Sequence, residues 1–459
     1  MPADVTEFDA IIVGAGQAGP PLAGRLTAAG QKVAVIERKL VGGTCVNYGC
    51  IPTKTLVASA HAAHIARRGA DFGIGTGEIT VDMARVKARK DGIVEGDRRG
   101  VENWIDGMDG ATLLRGHARF TDPHTLDLDG RALGADRIFL NVGGRAVVPD
   151  LPGLSDIDYL TNVSVLELDT VPEHLVIVGG SYIALEFAQM YRRFGARVSV
   201  LERGPRLTSR EDEDVSAAIR EILEAEGIEI HPGADDIRFT KLENGFQVST
   251  GAGADPIVGS HALIAVGRTP NTDDLGLQNA GVRTDHRGYI EVDDTLRTSV
   301  GHIWAMGDCN GRGAFTHTSY NDFEIVAANL LDDDPRRVSD RVPTYALYID
   351  PPLGRAGMTA DEVRRSGRKA LVGKRPMTRV GRAVEKGETQ GFMKVVVDAE
   401  TEQILGAAIL GVGGDEVVHA ILDVMTAKLP YTAISRTMHI HPTVSELVPT
   451  LLQDLKPLT

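Results

Sequence analysis

The sequence predicts an α/β protein with two Rossmann-like dinucleotide-binding domains and a C-terminal α+β domain. Segments 8–37 and 175–202 each show a buried strand, a glycine-rich turn, a helix and a second strand that ends at a glutamate. From about residue 342 onward the pattern changes to a different mixture of strands and helices. A chain of 459 residues is also too long for one hydrophobic core. We therefore expect several domains built around two nucleotide sites.

The first glycine-rich turn is predicted to hold the pyrophosphate of a dinucleotide. Gly14 permits the tight turn, Gly16 lets a phosphate approach the backbone, and Gly19 lets the helix pack closely on the strand. The N-terminus of the following helix favours an anion. Glu37, at the end of the second strand, is placed to bind the hydroxyl pair of a ribose.

The second turn departs from this fingerprint and leaves the choice of nucleotide open. Gly179 is present, but Ser181 and Ala184 replace the second and third glycines, and both are small enough to fit. The second strand ends at Glu202, whose carboxylate would bind a 2′-hydroxyl and repel a 2′-phosphate. Arg203 follows it and would attract that phosphate. We expect NADH to be preferred, although Arg203 argues for NADPH. A third possibility is that both residues only cap an exposed strand end.

The composition excludes several classes of protein. The formal net charge is −14 and no basic tract occurs, so we expect no nucleic-acid partner. No stretch approaches 18 uninterrupted apolar residues and no signal sequence is evident at the N-terminus, so we expect an unanchored cytoplasmic protein. Three cysteines are too few for a disulfide scaffold or a four-cysteine zinc site.

Cys45 and Cys50 are the first candidates for chemistry. In an ideal helix, residues five apart have α-carbons roughly 8 Å from each other, beyond the usual range of about 4.4–6.8 Å for a disulfide. A bridge between them therefore needs a bend, for which Gly49 could supply the freedom. A helix N-terminus would also lower the pKa of a thiol.

The string Gly-Gly-Thr-Cys-Val-Asn-Tyr-Gly-Cys-Ile-Pro-Thr-Lys, residues 42–54, resembles the signature of the flavin-dependent disulfide reductases. This is the family of glutathione reductase, dihydrolipoamide dehydrogenase and mercuric reductase. The resemblance implies bound FAD and an NAD(P)H donor. It also implies that Cys45 attacks the substrate and that Cys50 receives electrons from the flavin. The alternative is a pair of buried or loosely metal-binding cysteines.

Further residues gain roles from the same resemblance. Lys54 and Glu186 resemble an ion pair beside the flavin, with an ordinary surface pair as the alternative. Tyr182 resembles an aromatic gate over the nicotinamide site, and Asp308 resembles a contact to the ribityl chain of the flavin. The remaining cofactor-binding candidates are Gly43, Thr44, Gly143 and Gly267.

Near the C-terminus, His441-Pro-Thr-Val-Ser-Glu446 resembles the acid-base motif of the family. The resemblance implies that His441 moves protons to and from the reacting thiols while Glu446 orients its ring. In the family this histidine serves the active site of the other subunit, so we expect a homodimer. A merely structural histidine is the alternative, and no role is evident for His439.

The same resemblance divides the chain at residues 150, 270 and 341. It implies that segments 1–150 and 271–341 form an FAD-binding domain in two parts. Segment 151–270 would bind NAD(P), and segment 342–459 would form the dimer.

The motifs resemble the mercuric-reductase-like branch more than the other branches, mainly through residues 315–323, 210–212 and 351–358. True mercuric reductases end in a vicinal cysteine pair, whereas no cysteine follows Cys309 here. The chain also keeps the histidine that this branch generally lacks. It is most similar to relatives that retain the His-Glu pair, including the hypothiocyanous acid reductases.

We therefore predict an FAD-dependent NAD(P)H oxidoreductase that acts on a small disulfide or an oxidised sulfur compound and binds no structural metal. The alternatives are a soft-metal reductase, in which Cys309 could join a metal relay, and a complex subunit like dihydrolipoamide dehydrogenase.

Overall fold

The computed structural model describes residues 5–251 and 255–459 and confirms the α/β fold class. In chain order its strands are β1 (Thr6–Val13), β2 (Val33–Glu37), β3 (Ala111–Arg115), β4 (Ala118–Asp122), β5 (Thr125–Leu128), β6 (Arg131–Leu140), β7 (Gly144–Ala146), β8 (Tyr159–Leu160), β9 (His174–Val178), β10 (Arg197–Glu202), β11 (Glu229–Pro232), β12 (Arg238–Lys241), β13 (Phe246–Ser249), β14 (Ile257–Gly259), β15 (His261–Ile264), β16 (Arg268–Pro270), β17 (Ile303–Ala305), β18 (Thr344–Leu347), β19 (Leu353–Gly357), β20 (Ala370–Pro376), β21 (Phe392–Asp398), β22 (Ile404–Leu410) and β23 (Lys456–Pro457).

The described residues form thirteen α-helices. They are α1 (Gly19–Ala28), α2 (Gly43–Tyr48), α3 (Cys50–Arg67), α4 (Met83–Asp106), α5 (Tyr182–Phe194), α6 (Glu213–Ala225), α7 (Leu277–Ala280), α8 (Thr316–Ala327), α9 (Ala360–Ser366), α10 (Gly381–Glu385), α11 (Gly414–Thr426), α12 (Thr432–Ser435) and α13 (Leu447–Gln453). In the described ranges, no helix combines the length and the hydropathy that a membrane crossing requires.

The first compact unit contains the first predicted nucleotide site. It consists of Met1–Thr55, described from Val5, together with Lys87–Val147 and Gly267–Asp340. Its seven-stranded sheet has the order β3-β2-β1-β6-β5-β4, with β17 also paired to β6. Ile11 packs into one hydrophobic cluster and Ile12 into another, so both faces of β1 are covered. Burial on both faces explains why this strand is an unbroken apolar run.

The second compact unit contains the second predicted nucleotide site. It consists of Leu56–Val86, the described part of Val148–Val266, and Arg341–Thr459. A five-stranded parallel sheet has the order β11-β10-β9-β15-β8. A six-stranded sheet, β18-β19-β22-β21-β20-β23, is antiparallel and carries α11 and α13 against its buried face. This six-stranded sheet and its helices are the α+β part expected near the C-terminus.

The division into three domains, with segment boundaries at residues 150, 270 and 341, stays a prediction. One segment behaves differently from that scheme, because 56–86 was predicted within the first domain but belongs to the second compact unit. Its side chains Leu56, Ala60 and Met83 join the hydrophobic cluster that also contains Leu185. Sequence periodicity identifies such a helix but cannot show which core its apolar face enters.

The acidic cluster before α6 is a structural anchor within the second unit. Buried Glu211 forms an ion pair with buried Arg355 on β19, and the Nε–Oε1 distance is 3.1 Å. Asp212 accepts a hydrogen bond of 2.6 Å from Lys394 on β21. Buried charges persist when they are paired in this way. In the Arg-Glu-Asp run at 210–212, the two acidic residues are therefore explained by their ion pairs with Arg355 and Lys394.

Candidate active site and nucleotide sites

The first glycine-rich turn leaves little or no room for a side chain at its three glycines. Gly14 has φ +106°, and an added Cβ would lie 2.2 Å from the Asn141 carbonyl oxygen. A Cβ on Gly19 would lie 2.4 Å from the Gly14 carbonyl oxygen, and one on Gly16 would lie 3.0 Å from Asn141 Oδ1. The three glycines therefore occupy the tight positions that the sequence predicts for them.

Asn141 is a residue of this turn that sequence reasoning missed. Its buried side chain accepts a hydrogen bond from the Gly19 N–H at 3.2 Å and donates one to the Met306 carbonyl at 3.0 Å. It stands directly after β6, at the carboxyl end of a parallel strand. The sequence signal that could have identified Asn141 is a polar residue at the carboxyl end of a parallel strand, because ligands of such sheets bind at that end.

Glu37 ends β2 and faces the same turn. Its carboxylate accepts hydrogen bonds from the N–H groups of Ala15 at 3.0 Å and Lys39 at 2.8 Å. An open cleft of about 460 Å³ in the same unit carries mostly basic side chains, and it is lined by Arg38, Lys39, His117, Arg145, Asp273 and Asp274. Glu37 thus brings a carboxylate to the turn, and Arg38 and Lys39 of the cleft follow it directly in the chain.

Substitution of Gly14 by Ala is expected to release the dinucleotide and to destabilise the first unit. The added Cβ would collide with the Asn141 carbonyl, and the positive φ adds strain of about 1–3 kcal/mol. Flavin absorbance per protomer and the unfolding midpoint should both fall. Gly30→Ala is the matched control, because Gly30 also has a positive φ, +80°, but no atom lies within 4 Å of its added Cβ. Equal flavin content in the two variants would contradict the expectation.

The residues around this turn fit FAD. A Cβ on Gly43 would lie 2.9 Å from the Cα of Gly16, so the predicted active-site segment packs directly on the glycine-rich turn. Gly143, with φ +64°, and Gly267, with φ +140°, have open space where a side chain would stand. Backbone that lacks side chains can approach a large planar cofactor closely. Gly143 and Gly267 thus leave open space for such a group, whereas Gly43 brings the active-site segment against the turn.

Asp308 lies in the same unit and is held by a residue that the sequence did not single out. Burial raises the pKa of the Asp308 carboxyl, and Arg268, whose Nε lies 3.4 Å from Asp308 Oδ2, opposes that shift. Arg268 Nη2 also contacts the carbonyl of Gly144 and lies 3.5 Å from Thr44 Oγ1. Arg268 therefore ties three candidate cofactor-binding segments together.

The two predicted redox cysteines lie in adjoining helices. Cys45 is in α2 and Cys50 begins α3, with Gly49 at φ −132° and ψ −116° between them. A Cβ on Gly49 would lie 2.9 Å from the Thr44 carbonyl oxygen, so the bend needs glycine. Both cysteines are partly buried. The bend expected at Gly49 is present.

The two sulfurs interact with each other and with a threonine. A side-chain hydrogen bond with Cys50, followed by burial, raises the pKa of the Cys45 thiol. Cys50 Sγ lies 3.1 Å from Thr316 Oγ1, at the start of α8. No role was predicted for Thr316 beyond its place in segment 315–323, since it stands 266 positions from Cys50.

The second glycine-rich turn is built like the first. Gly179 has φ +120°, and an added Cβ would lie 2.4 Å from the Ala265 carbonyl oxygen. A Cβ on Gly180 would lie 2.7 Å from Glu202 Oε2, so the carboxylate reaches the turn. Glu202 also accepts a hydrogen bond from the Gly204 N–H at 2.6 Å. Ser181 precedes α5 as its N-cap residue and is exposed to solvent.

Arg203 is exposed, whereas Glu202 beside it is partly buried. Tyr182 is the first residue of α5 and is partly buried. Glu186, one turn further along α5, is 3% exposed and accepts a hydrogen bond from the Tyr348 N–H at 2.9 Å. The alternative of an ordinary surface residue is therefore wrong for Glu186. Its pairing with Lys54 stays a prediction.

His441 and Glu446 are adjacent in space. His441 Nδ1 lies 3.1 Å and 3.0 Å from the two carboxylate oxygens of Glu446. The His441 side chain is 80% exposed whereas that of Glu446 is 16% exposed, so the carboxylate orients the ring and leaves Nε2 on the open side. His439 has a local structural contact, because its Nδ1 lies 2.9 Å from the Ser445 carbonyl oxygen.

Cys309 is unsuited to a metal relay. The side chain is fully buried, and burial raises the pKa of its thiol to about 12. Its Sγ lies 3.4 Å from the Met306 carbonyl and 3.6 Å from the Leu140 carbonyl. Within residues 5–251 and 255–459, three or more His, Cys, Asp or Glu side chains nowhere gather to hold a metal ion.

Comparison with known proteins gives two family matches. Residues 8–322 match the pyridine nucleotide-disulphide oxidoreductase family, and residues 343–452 match the dimerisation domain of the same family. The probable pyridine nucleotide-disulfide oxidoreductase RclA of Escherichia coli is 36% identical, across 98% of this chain and 100% of that protein. A mercuric reductase of Staphylococcus aureus is 32% identical, across 90% of this chain and 76% of its own length.

Other relatives are also similar to this chain over nearly its whole length. A dihydrolipoyl dehydrogenase of Thermus scotoductus is 32% identical, across 96% of this chain and 95% of that protein. The solved structure of the HOCl-induced flavoprotein disulfide reductase RclA of Escherichia coli has a TM-score of 0.90 at 35% identity, and covers 98% of this chain and 100% of that one. The similarity therefore extends over both compact units.

Proposed function

Because the chain belongs to the pyridine nucleotide-disulphide oxidoreductase family, we propose that it carries electrons from NADH through Cys45 and Cys50 to a small disulfide or oxidised sulfur compound. Membership makes it a flavoprotein disulfide reductase that uses FAD and NAD(P)H. The mercuric reductase relatives suggest a soft-metal reductase as one alternative. The dihydrolipoyl dehydrogenase relatives suggest a subunit of a larger complex as the other. Neither is favoured by a residue found in the site.

One observation carries the proposal. Two thiols five positions apart share a hydrogen bond, on a segment whose Gly43 packs against the phosphate-binding turn at Gly16. A sulfur pair in that position adjoins whatever the turn binds. An isolated structural cysteine pair would need neither the glycine bend at Gly49 nor the close approach at Gly43.

This chain would hold FAD through the Gly14–Gly19 turn, the Glu37 carboxylate and the Asp308 carboxyl. When bound, FAD supplies hydride acceptance from the nicotinamide and transfer of the electron pair to a disulfide. The protein places the sulfurs and moves protons. Two electrons and one proton convert a Cys45–Cys50 disulfide into one thiol and one thiolate.

The thiol pair then reduces the substrate. Cys45, once deprotonated, attacks one sulfur of the disulfide, forms a mixed disulfide and expels the first thiolate. Cys50 attacks the Cys45 sulfur, reforms the internal disulfide and releases the second thiol. The raised pKa of Cys45 means that the first attack needs a base. We assign that role to His441, held by Glu446.

The base is proposed to come from the other protomer of a cytoplasmic homodimer. The family match of residues 343–452 to a dimerisation domain supports a dimer. Met438 and Ile440 are 95% and 79% exposed immediately before His441. Apolar side chains this open usually mark a contact surface.

The proposed donor is NADH, because the Glu202 carboxylate stands at the mouth of the second turn. Glu202→Ala is expected to improve kcat/KM for NADPH relative to NADH by about tenfold, since that factor corresponds to about 1.4 kcal/mol of removed repulsion. Arg203→Ala is the matched control and should disfavour NADPH further. An unchanged ratio in Glu202→Ala would assign the choice of nucleotide to other residues.

The function itself is tested by counting thiols. The chain has three cysteines, so denaturation and alkylation of the oxidised holoenzyme should label only Cys309. After anaerobic addition of NADH, all three should be labelled, and a small disulfide should return the count to one. A count that NADH leaves unchanged would contradict a redox role for Cys45 and Cys50.

A further inference from the structure

A threonine hydroxyl stands against the reacting sulfurs. Thr316 Oγ1 lies 3.1 Å from Cys50 Sγ, and both residues belong to the first compact unit. The same hydroxyl forms a hydrogen bond that lowers the pKa of Cys45, against the larger effects of Cys50 and of burial. The Thr316 hydroxyl therefore interacts with both Cys45 and Cys50.

The start of α8 does not need Thr316 as a capping residue. The hydroxyl of Thr318 closes this end, because it accepts a hydrogen bond from the Phe315 N–H at 3.1 Å and donates one to the Phe315 carbonyl at 2.7 Å. Thr316 is the first residue of a helix of 12 residues, where the helix dipole favours negative charge. Its hydroxyl is thus available to a sulfur at the positive end of a helix.

We propose that Thr316 is a further catalytic residue, which donates its hydroxyl hydrogen to Cys50 whenever reduction leaves a negative charge on that sulfur. This inference rests on the proposed function. When the disulfide is reduced, the bond between the two sulfurs breaks, one proton goes to Cys45, and the electron pair that remains on Cys50 is held by the hydroxyl. NADH, through the bound flavin, is the reductant.

A hydrogen bond to a charged acceptor stabilises that acceptor selectively, so Thr316 favours the reduced pair over the disulfide. Loss of the hydroxyl should lower the equilibrium constant for reduction by about tenfold, which corresponds to about 30 mV for a two-electron couple. The pH at which the thiolate forms should rise by about one unit for the same factor. A threonine with a purely structural role would change neither quantity.

The test compares Thr316→Val, which keeps the shape and loses the hydroxyl, with Thr316→Ser, which keeps the hydroxyl. Each holoenzyme is equilibrated with dithiol-disulfide buffers, and the reduced fraction is measured by alkylation. The pH midpoint of the long-wavelength absorption of a thiolate beside the flavin is measured separately. Thr316→Val should need about tenfold more dithiol and a higher pH, whereas Thr316→Ser should match the wild type.

Further variants keep the result decisive. Thr318→Ser is the control for a change at the same helix end, and Thr316→Ala replaces Thr316→Val if the latter loses its flavin. A variant without the hydroxyl that titrates like the wild type would overturn the role of Thr316. If NADH fails to change the thiol count of the wild type, the proposed function fails instead, so the two failures are distinguishable.

Discussion

Cys45→Ser should abolish disulfide reduction while the enzyme still binds FAD. The serine hydroxyl cannot form a mixed disulfide, so we expect turnover to fall by at least about 1,000-fold, as when a nucleophile is removed from other enzymes. The substitution replaces one partly buried atom and leaves the Gly43 and Gly49 contacts in place. Flavin content and the unfolding midpoint should therefore stay close to those of the wild type. NADH oxidation coupled to a small disulfide measures the loss.

Two further cysteine variants serve as controls for Cys45→Ser. Cys50→Ser should be equally inactive, but it should also lose the long-wavelength thiolate absorption, because Cys50 is the sulfur proposed to lie beside the flavin. Cys309→Ala should keep activity, since that thiol is buried and its Sγ lies against the backbone carbonyls of Leu140 and Met306. Full disulfide reductase activity in Cys45→Ser would remove the thiol mechanism altogether.

The local sequence was enough to predict features whose causes are local. The strand, the glycine-rich turn and the helix of 8–28 follow from apolar runs and from glycines whose positions tolerate no Cβ. His441 and Glu446 stand five positions apart in one motif and meet in the structure. In each case the residues that interact are also close in the chain.

Residues whose partners are distant in the chain were missed. Asn141 bonds to Gly19 across 122 positions, and Thr316 reaches Cys50 across 266. Arg268 joins Asp308 to Gly144 and Thr44. No periodicity or spacing rule encodes such contacts, since they depend on how the strands are ordered in the sheet. The same reason hid the burial of Glu186, whose partner Tyr348 lies 162 positions away.

His441→Ala is expected to lower disulfide reductase activity by about 10²–10⁴-fold, the usual contribution of a positioned acid-base group. The pKa of Cys45 is raised, so without the base few molecules carry the attacking thiolate at neutral pH. Flavin content and reduction of the protein by NADH should be unaffected, because His441 would act only on the substrate side. Substitution of His439, whose ring contacts the Ser445 carbonyl, is the matched control and should cost far less activity. Normal turnover in His441→Ala would place the base elsewhere.

The origin of the base can be tested by mixing two inactive variants. If His441 serves Cys45 of the other protomer, a heterodimer of Cys45→Ser and His441→Ala contains one complete site, built from the intact Cys45 of one chain and the intact His441 of its partner. Such heterodimers, isolated with two affinity tags, should recover about half of the wild-type activity, because one of two sites is whole. If both groups acted within one protomer, each chain would lack one of them and the heterodimer would stay inactive. The exposed side chain of His441, oriented by Glu446 and preceded by exposed Ile440, is the geometry that favours the first result.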